Sequence, residues 1–103
     1  MAKTKWINEA WLRKHGACDP GIAIFNEYYG KGYDIYLAKV IRDAHRNEED
    51  DDAEWILDHV LNARLRQEWS RESSRVKKGG SYKAIDYKYV KLHLGITSMY
   101  EVK

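Results

Sequence analysis

Residues 34–46 read DIYLAKVIRDAHR, and this stretch decides the fold of the chain. Apolar residues recur in it at the i, i+3, i+4, i+7 spacing that gathers side chains on one face of an α-helix: Leu37, Val40, Ile41 and Ala44. Asp34 has the short acceptor side chain that favours a helix N-cap. We therefore predict a helix over residues 34–46 that buries one face.

The residues before this helix have the capping signals of a helical hairpin over residues 8–29. Asn8 favours the start of a first helix, and Gly16 favours its end because glycine readily adopts the positive φ that closes a helix. Pro20 favours the start of a second helix, since proline is common at the first helical position. Gly30 is expected to end that helix.

The residues after the 34–46 helix predict the longest helix of the chain, over residues 51–78. It begins within a run of aspartates and ends before the glycine pair at 79–80. Five apolar residues are expected on its buried side: Leu57, Val60, Leu61, Leu65 and Trp69.

Residues 81–103 form a C-terminal segment that fits two structures. Val90 and Leu92 alternate with polar residues, which favours a strand of a short β-hairpin. Ile85, Tyr89 and Leu92 also share one face of a helix, which favours a fifth helix. The sequence leaves both alternatives open.

Length and composition favour one domain over residues 1–103. A hydrophobic content of 44%, with four Trp and eight Tyr, supplies material for a core. A single proline among 33% charged residues favours helices over a β-sandwich. We therefore predict a mainly α fold class: a small four-helix domain whose C-terminal segment is a short β-hairpin or a fifth helix.

The single cysteine, Cys18, excludes an intrachain disulfide and favours a reducing compartment. No stretch approaches the roughly 20 apolar residues that span a bilayer. Residues 1–16 also lack the apolar run of a signal peptide. We expect a cytoplasmic protein without a membrane partner.

Charge is divided unevenly along the chain, although the net charge is only +2. Residues 43–58 carry eight carboxylates against one arginine. Residues 64–91 carry nine cations against three carboxylates. Because each region attracts molecules of the opposite sign, the pattern predicts a binding protein with two candidate contact surfaces.

The centre of the acidic region is the first candidate contact surface. Five residues are predicted to bind a basic partner: Glu48, Glu49, Asp50, Asp51 and Asp52. The same run also fits a helix N-terminus, where carboxylates stabilise the helix dipole by about 0.3–1 kcal/mol each. A calcium site is not favoured, because the alternating ligands and central glycine of an EF-hand are absent. We expect no metal and no other cofactor.

The basic region is the second candidate contact surface, for a protein partner or for nucleic acid. Six residues are expected to form it: Arg71, Arg75, Lys77, Lys78, Tyr82 and Tyr87. Cations interleaved with aromatic rings are typical of surfaces that track phosphates and stack on bases. A solvated face has the same composition, so this alternative remains open.

Catalytic motifs are lacking in the sequence. It contains no glycine-rich phosphate loop, no GxSxG elbow and no HExxH pair, and its four histidines are widely spread. The i, i+4 pair of Glu54 and Asp58 has a spacing that is common on exposed helices. We therefore expect no catalytic residues and no enzyme activity.

Six residues spell the pattern W-L-x(4)-A-C-x-x-G-x-x-x-F: Trp11, Leu12, Ala17, Cys18, Gly21 and Phe25. This pattern resembles an N-terminal motif of small, mostly uncharacterised proteins of bacteriophages and prophages. The resemblance covers residues 11–25 and implies a shared helical hairpin, with no catalytic residue carried over.

Our leading hypothesis is a small, non-catalytic phage- or prophage-type protein that binds and inhibits a host macromolecular complex. A defence or nucleic-acid-handling system is the expected target, because a charged protein blocks such a complex without chemistry. The first alternative is direct nucleic-acid binding by residues 64–91. The second is self-association, in which the acidic surface of one copy meets the basic surface of another. The sequence does not decide the oligomeric state.

Overall fold

A computed structural model describes residues 4–76 and 82–102. The described chain is mainly helical, so the predicted fold class is confirmed. It contains a two-stranded antiparallel sheet and six helices. In chain order these are β1 (Trp6–Ile7), α1 (Glu9–Lys14), α2 (Asp19–Tyr29), β2 (Ile35–Tyr36), α3 (Leu37–Arg46), α4 (Asp50–Val60), α5 (Ala63–Arg75) and α6 (Tyr82–Leu94).

Helices α1 and α2 lie within the expected hairpin, and their caps explain their bounds. Asn8 Oδ1 accepts a hydrogen bond from the Trp11 backbone N–H at 2.7 Å, which caps α1. Gly16 follows α1 with a φ of 83°, a left-handed conformation that favours glycine. Gly30 ends α2 by donating its N–H to the Asn26 carbonyl at 2.8 Å.

The predicted cap of the third helix is wrong. Helix α3 starts at Leu37 and its N-cap position is Tyr36, because β2 first pairs with β1. Asp34 instead accepts a hydrogen bond from Asn8 Nδ2 at 2.7 Å. The Asp34 side chain therefore links the start of α1 to the residue before β2. Capping rules consider only neighbouring residues of one helix, so they do not predict this contact.

The prediction of one helix over residues 51–78 is also wrong. The chain becomes extended at Leu61, with φ −69° and ψ 142°, so α4 ends at Val60. Asn62 then caps α5, since its Oδ1 accepts from the Leu65 N–H at 2.9 Å. The apolar spacing runs through this break because both helices bury their apolar faces in the same core.

The C-terminal segment is a helix over most of its length. Of the two structures left open, the fifth-helix alternative is confirmed by α6, which ends before Gly95 with its φ of 69°. The predicted stop at residues 79–80, together with Lys77 and Lys78, lies outside the described residues.

Helix α3 is the centre of the fold. It packs against α4 and α6, while α5 packs against α6 and α1 against α2. The predicted apolar stripe of α3 is buried, and Leu37 and Ile41 are fully buried. Burial of one such side chain contributes about 1.5–3 kcal/mol, so α3 anchors the surrounding helices. No helix in the described part of the chain is both long enough and apolar enough to cross a membrane.

Candidate partner-binding site

An open groove lies where α1 and α2 meet α3 and the first turns of α4. Its volume is about 310 Å³. The lining is mostly apolar and includes Leu12, Ile24, Phe25, Val40, Trp55 and Ile56. Grooves of this size and character commonly hold an apolar group of a ligand or partner.

One side of the groove is acidic. We define the acidic rim as Glu49, Asp51 and Asp52, all of which line the groove beside the first turn of α4. Carboxylates at this position are favourable for the helix dipole, so the predicted helix start and the predicted contact surface coincide. Position in the helix therefore does not by itself separate a structural role from a binding role.

The turn that presents the acidic rim is tightly bonded. The Glu49 N–H donates to the Ala44 carbonyl at 2.7 Å, and the Glu48 N–H donates to the His45 carbonyl at 3.2 Å. Glu48 itself has a φ of 58°, the left-handed region that a side chain with a Cβ rarely adopts. The carboxylates of this turn are consequently held at defined positions rather than on a loose loop.

The acidic rim forms no ion pair with the described part of the chain. Within residues 4–76 and 82–102, no ion pair involves Glu48, Glu49, Asp51 or Asp52. Burial, followed by repulsion from Glu49 and Asp51, raises the pKa of the Asp52 carboxyl above its ordinary value. Glu49 Oε1 accepts a hydrogen bond from the Tyr28 hydroxyl at 3.0 Å, which joins the rim to α2. Among the described residues, these like charges are therefore held together without an ion pair.

Asp43 also lines the groove but differs from the rim, because it is paired internally. Its Oδ2 accepts from the Tyr29 hydroxyl at 2.7 Å and from Lys39 Nζ at 3.0 Å. Burial acts to raise the pKa of Asp43, but these two hydrogen bonds outweigh it and the pKa is lowered. Asp43 thus belongs to the structure of the groove wall.

Among the residues described, Asp50 is the one predicted acidic contact residue with an internal ion pair, although its side chain is 55% exposed. Its Oδ1 lies 2.9 Å from His45 Nδ1, and His45 Nε2 lies 2.7 Å from Asp86 Oδ2. Asp86 Oδ1 in turn accepts from Trp69 Nε1 at 2.7 Å. We define this chain of Asp50, His45, Asp86 and Trp69 as the buried network, which links α3, α4, α5 and α6.

The charge state of His45 follows from its two neighbours. A carboxylate only accepts hydrogen bonds, so an imidazolium that donates from both nitrogens satisfies Asp50 and Asp86 together. The hydrogen bond to Asp86 raises the pKa of His45, opposed by burial and supported by the charges of Asp86 and Asp50. Asp86 is only 1% exposed, so this pairing compensates a buried carboxylate.

The described members of the predicted basic surface are divided between two places. Arg71 and Arg75 line a second groove between α5 and α6, of about 650 Å³. Tyr82 and Tyr87 do not line it, and the Tyr87 ring instead packs edge-on against His45, at a centroid distance of 5.9 Å. Lys77 and Lys78 lie outside the described residues.

The second groove is partly neutralised by its own carboxylates. Arg64 and Lys88 also line it, but so do Glu68 and Glu72. Glu72 accepts from Lys88 Nζ at 3.1 Å and from the Tyr89 hydroxyl. No ion pair in the described chain joins the acidic rim to the cations of residues 64–91, so the two charged surfaces remain separate.

A cluster of four rings braces the outer wall of the groove. Trp11 and Trp55 meet edge-on, with their ring centroids 6.0 Å apart. The His15 ring is tilted against Trp11 at 4.4 Å, and the His59 ring is tilted against Trp55 at 4.2 Å. Burial, followed by the charges of His59 and Lys14, lowers the pKa of His15. No group of three His, Cys, Asp or Glu side chains within the described residues is placed to hold a metal ion.

The apolar lip of the groove was missed by sequence reasoning. Ile24 and Tyr28 lie one turn apart on α2, beside the buried face formed by Ile22 and Phe25. Ile24 is 36% exposed and Tyr28 is 48% exposed. The signal in the sequence was a pair of apolar residues, Ile24 and Tyr28, that flank the predicted buried face of α2. Their position opposite the acidic rim depends on contacts between distant parts of the chain.

No protein-family model, curated protein or solved structure matches this chain. The resemblance in residues 11–25 therefore remains a prediction. In the structure, five residues of that pattern line the groove: Leu12, Ala17, Cys18, Gly21 and Phe25.

Proposed function

We propose that this protein is a small, non-catalytic phage- or prophage-type protein that binds and inhibits a host macromolecular complex in the cytoplasm. The acidic rim and the neighbouring Glu48 form the contact in this proposal. The partner is a basic surface, such as the nucleic-acid groove of a defence or nucleic-acid-handling system.

The observation that carries the proposal is the absence of any ion pair to the acidic rim within the described residues. Burial, followed by repulsion from Glu49 and Asp51, raises the pKa of Asp52, so the charged form of this carboxylate is disfavoured in the free protein. A basic partner relieves the repulsion when it binds. Perturbed carboxylates beside a groove are common at functional sites for this reason.

Inhibition follows from competition rather than from chemistry. A rigid row of carboxylates presents acceptors of the same sign as a phosphate backbone, and it draws cations by long-range attraction. A host groove occupied by the acidic rim is closed to nucleic acid. The free energy of this contact depends on ionic strength, because exposed charges are screened at about 8–10 Å in physiological salt.

The test is a charge reversal of the acidic rim, Glu49→Lys, Asp51→Lys and Asp52→Lys in one variant. Affinity capture from a bacterial lysate should recover a partner with the wild type and lose it with this variant. Addition of a DNA or RNA oligonucleotide should release the partner from the wild type. A partner retained by the charge-reversed variant contradicts the proposal.

A matched control changes the net charge equally at exposed sites away from the acidic rim. Three exposed carboxylates serve for it: Glu27→Lys, Asp58→Lys and Glu68→Lys. This variant should still capture the partner. Circular dichroism of both variants should match that of the wild type, which separates lost binding from lost folding.

Nucleic-acid binding is the second candidate function, and the α5–α6 groove favours it. Four cations line that groove against two carboxylates: Arg64, Arg71, Arg75 and Lys88 against Glu68 and Glu72. If the groove binds duplex DNA, log Kd should rise with log salt by about 0.9 per phosphate contacted. Arg71→Glu with Arg75→Glu should abolish a gel shift seen at low salt. No shift by the wild type at low salt removes this candidate.

A further inference from the structure

We infer that the groove binds an amphipathic basic helix of the partner, which inserts an apolar side chain between α2 and α4 and places its cations on the acidic rim. The inference rests on the proposed function and names the chemistry of the partner at the same site. It adds an apolar anchor to what is otherwise a charge contact.

The groove has open space beside α2. The wall from α1 to α2 is built of small residues, Ala17, Cys18 and Gly21, which all line the groove. A Cβ placed on Gly21 would meet only Cys18 Sγ at 3.4 Å, an ordinary contact, so the space beside α2 is open. A cavity of about 150 Å³ accommodates a benzene ring. The groove of about 310 Å³ thus has room for a large apolar side chain.

The second argument is exposed apolar surface beside that space. Ile24 and Tyr28 stand at the lip of the groove with a third to a half of their surface exposed. Adjacent apolar side chains that rim a concave site are typical of helix-in-groove recognition. Contact with a partner's apolar face would remove this surface from water.

The third argument is charge complementarity across the groove. On the α2 side the lip is apolar apart from the Tyr28 hydroxyl, which donates to Glu49 Oε1 at 3.0 Å, and the acidic rim lies at the start of α4. A wholly apolar occupant would cover the Asp52 carboxylate without a partner, which is costly. A phosphate-bearing occupant would be repelled. A helix with apolar residues on one face and Lys or Arg beside them satisfies both edges at once.

The probe is a synthetic 14-residue peptide of Leu and Lys whose order places all Leu on one face of a helix. Two comparison peptides are a scrambled version of the same composition and a 14-residue polylysine. The amphipathic peptide should bind about tenfold or more tightly than either comparison peptide, from burial of one apolar side chain. Equal affinity for all three peptides overturns the inference.

Cys18 gives a second readout, because it is the only cysteine of the chain and it is exposed in the groove. Saturating amphipathic peptide should slow its alkylation by N-ethylmaleimide at least fivefold or so, since a groove filled by a side chain excludes the reagent. Polylysine at saturation should leave the alkylation rate near that of the free protein. An unchanged rate with the amphipathic peptide overturns the inference.

Two variants separate the apolar anchor from the charge contact. Ile24→Ser should reduce the affinity for the amphipathic peptide about tenfold while leaving that for polylysine unchanged. Leu92→Ser is the matched control, because Leu92 is exposed on α6 away from this groove. The Leu92→Ser variant should bind the amphipathic peptide with the affinity of the wild type. An unchanged affinity of Ile24→Ser overturns the inference.

The failures of the two proposals are distinguishable. One outcome is that the charge-reversed rim variant binds none of the peptides, whereas the Ile24→Ser variant binds them as tightly as the wild type. This outcome would support the acidic contact and refute the apolar anchor. If the charge-reversed variant keeps its affinity for polylysine, the proposed function falls as well. Sedimentation that shows a dimer lost in Ile24→Ser would assign the groove to a second copy of the chain and overturn the inference.

Discussion

Asp50 and Asp52 lie two residues apart in the first turn of α4, yet their side chains have different neighbours. Asp50 pairs with His45 and joins the buried network. Asp52 faces the groove among like charges, and its pKa is raised. One charged run therefore contains a carboxylate with an internal ion pair and a carboxylate that we propose binds a partner. The contacts of each side chain, rather than its place in the run, distinguish the two carboxylates.

The two regions should respond differently to mutation. Loss of a carboxylate from the buried network should cost stability, because it leaves polar partners buried and unpaired. Loss of a carboxylate from the acidic rim should cost binding and leave stability nearly unchanged.

Asp86→Ala should have the largest effect on stability. It leaves His45 and Trp69 Nε1 without their buried partner, and removal of one member of a buried charged pair costs about 3–5 kcal/mol. Urea denaturation measures the free energy of unfolding. Asp51→Ala, the control at the acidic rim, should change it by less than about 1 kcal/mol. Equal small effects of both substitutions would mean that the buried network is not structural.

The buried network should also make stability depend on pH. The pKa of His45 is raised in the folded protein above its ordinary value of about 6.5. Its stabilising contribution is therefore complete below about pH 6.5 and is lost as the pH rises through the folded value. His45→Asn should flatten this decline in urea denaturation between about pH 6 and pH 9.

His15 has a lowered pKa, so its contribution to stability changes with pH in the opposite direction to that of His45. The protein with His45 and the His45→Asn variant should therefore both carry His15→Asn when their stabilities are compared. With a lowered folded pKa, His15 favours the folded state above about pH 6.5 and loses that contribution as the pH falls. Stability that rises from pH 7 to pH 9 in the His15→Asn background would show that His45 is not held as an imidazolium.

Glu48→Gly should stabilise the protein by about 1 kcal/mol. The φ of 58° at Glu48 is strained for a side chain with a Cβ, and glycine removes that strain. The larger freedom of glycine in the unfolded chain offsets part of the gain. Thermal unfolding measures the result, and Glu48→Ala, which keeps the strain, is the control. Destabilisation by glycine greater than that by alanine would contradict a strained turn.

Lys88→Ala should have the smallest effect. Its ion pair with Glu72 joins α5 to α6 at the surface, where Lys88 is 55% exposed. Exposed ion pairs contribute about 0.2–1 kcal/mol, so the midpoint in urea should move only slightly. A loss comparable to that of Asp86→Ala would show that the α5–α6 contact, rather than the buried network, holds α6 in place.

The local features of the fold were predictable because neighbouring residues determine them. The helical spacing from Leu37 to Ala44 placed the buried face of α3 correctly. Asn8 and Gly16 marked the ends of α1, since an N-cap and a positive φ depend on nearby backbone. These signals act within a turn or two of the chain.

The errors have a different origin, which is competition from contacts distant in sequence. Asp34 was available as a cap, but its carboxylate bonds to Asn8, 26 residues away. The break between α4 and α5 carried a local signal in Asn62, which the continuous apolar spacing outweighed in our prediction.

The candidate site shows the same limit. The acidic run was visible in the sequence, but Asp86 was not recognised as a buried partner of His45, because 41 residues separate them. The apolar lip at Ile24 lies near the acidic rim only once α2 is joined to α3 by the Tyr29–Asp43 hydrogen bond and to the start of α4 by the Tyr28–Glu49 hydrogen bond. The types of residue in the sequence thus indicated the charges and the hydrogen-bond acceptors. Which residues line one groove was visible only in the folded structure.

The most direct measurement is an NMR titration of the side-chain carboxyl groups, with the protein alone and with saturating amphipathic Leu/Lys peptide. We predict that burial and repulsion from Glu49 and Asp51 hold the pKa of Asp52 above its ordinary value in the free protein. The pKa should fall when peptide is bound, because a nearby cation favours the charged carboxylate. An ordinary pKa of Asp52 in the free protein, or one that peptide leaves unchanged, would contradict an unpaired acidic rim that binds a basic partner.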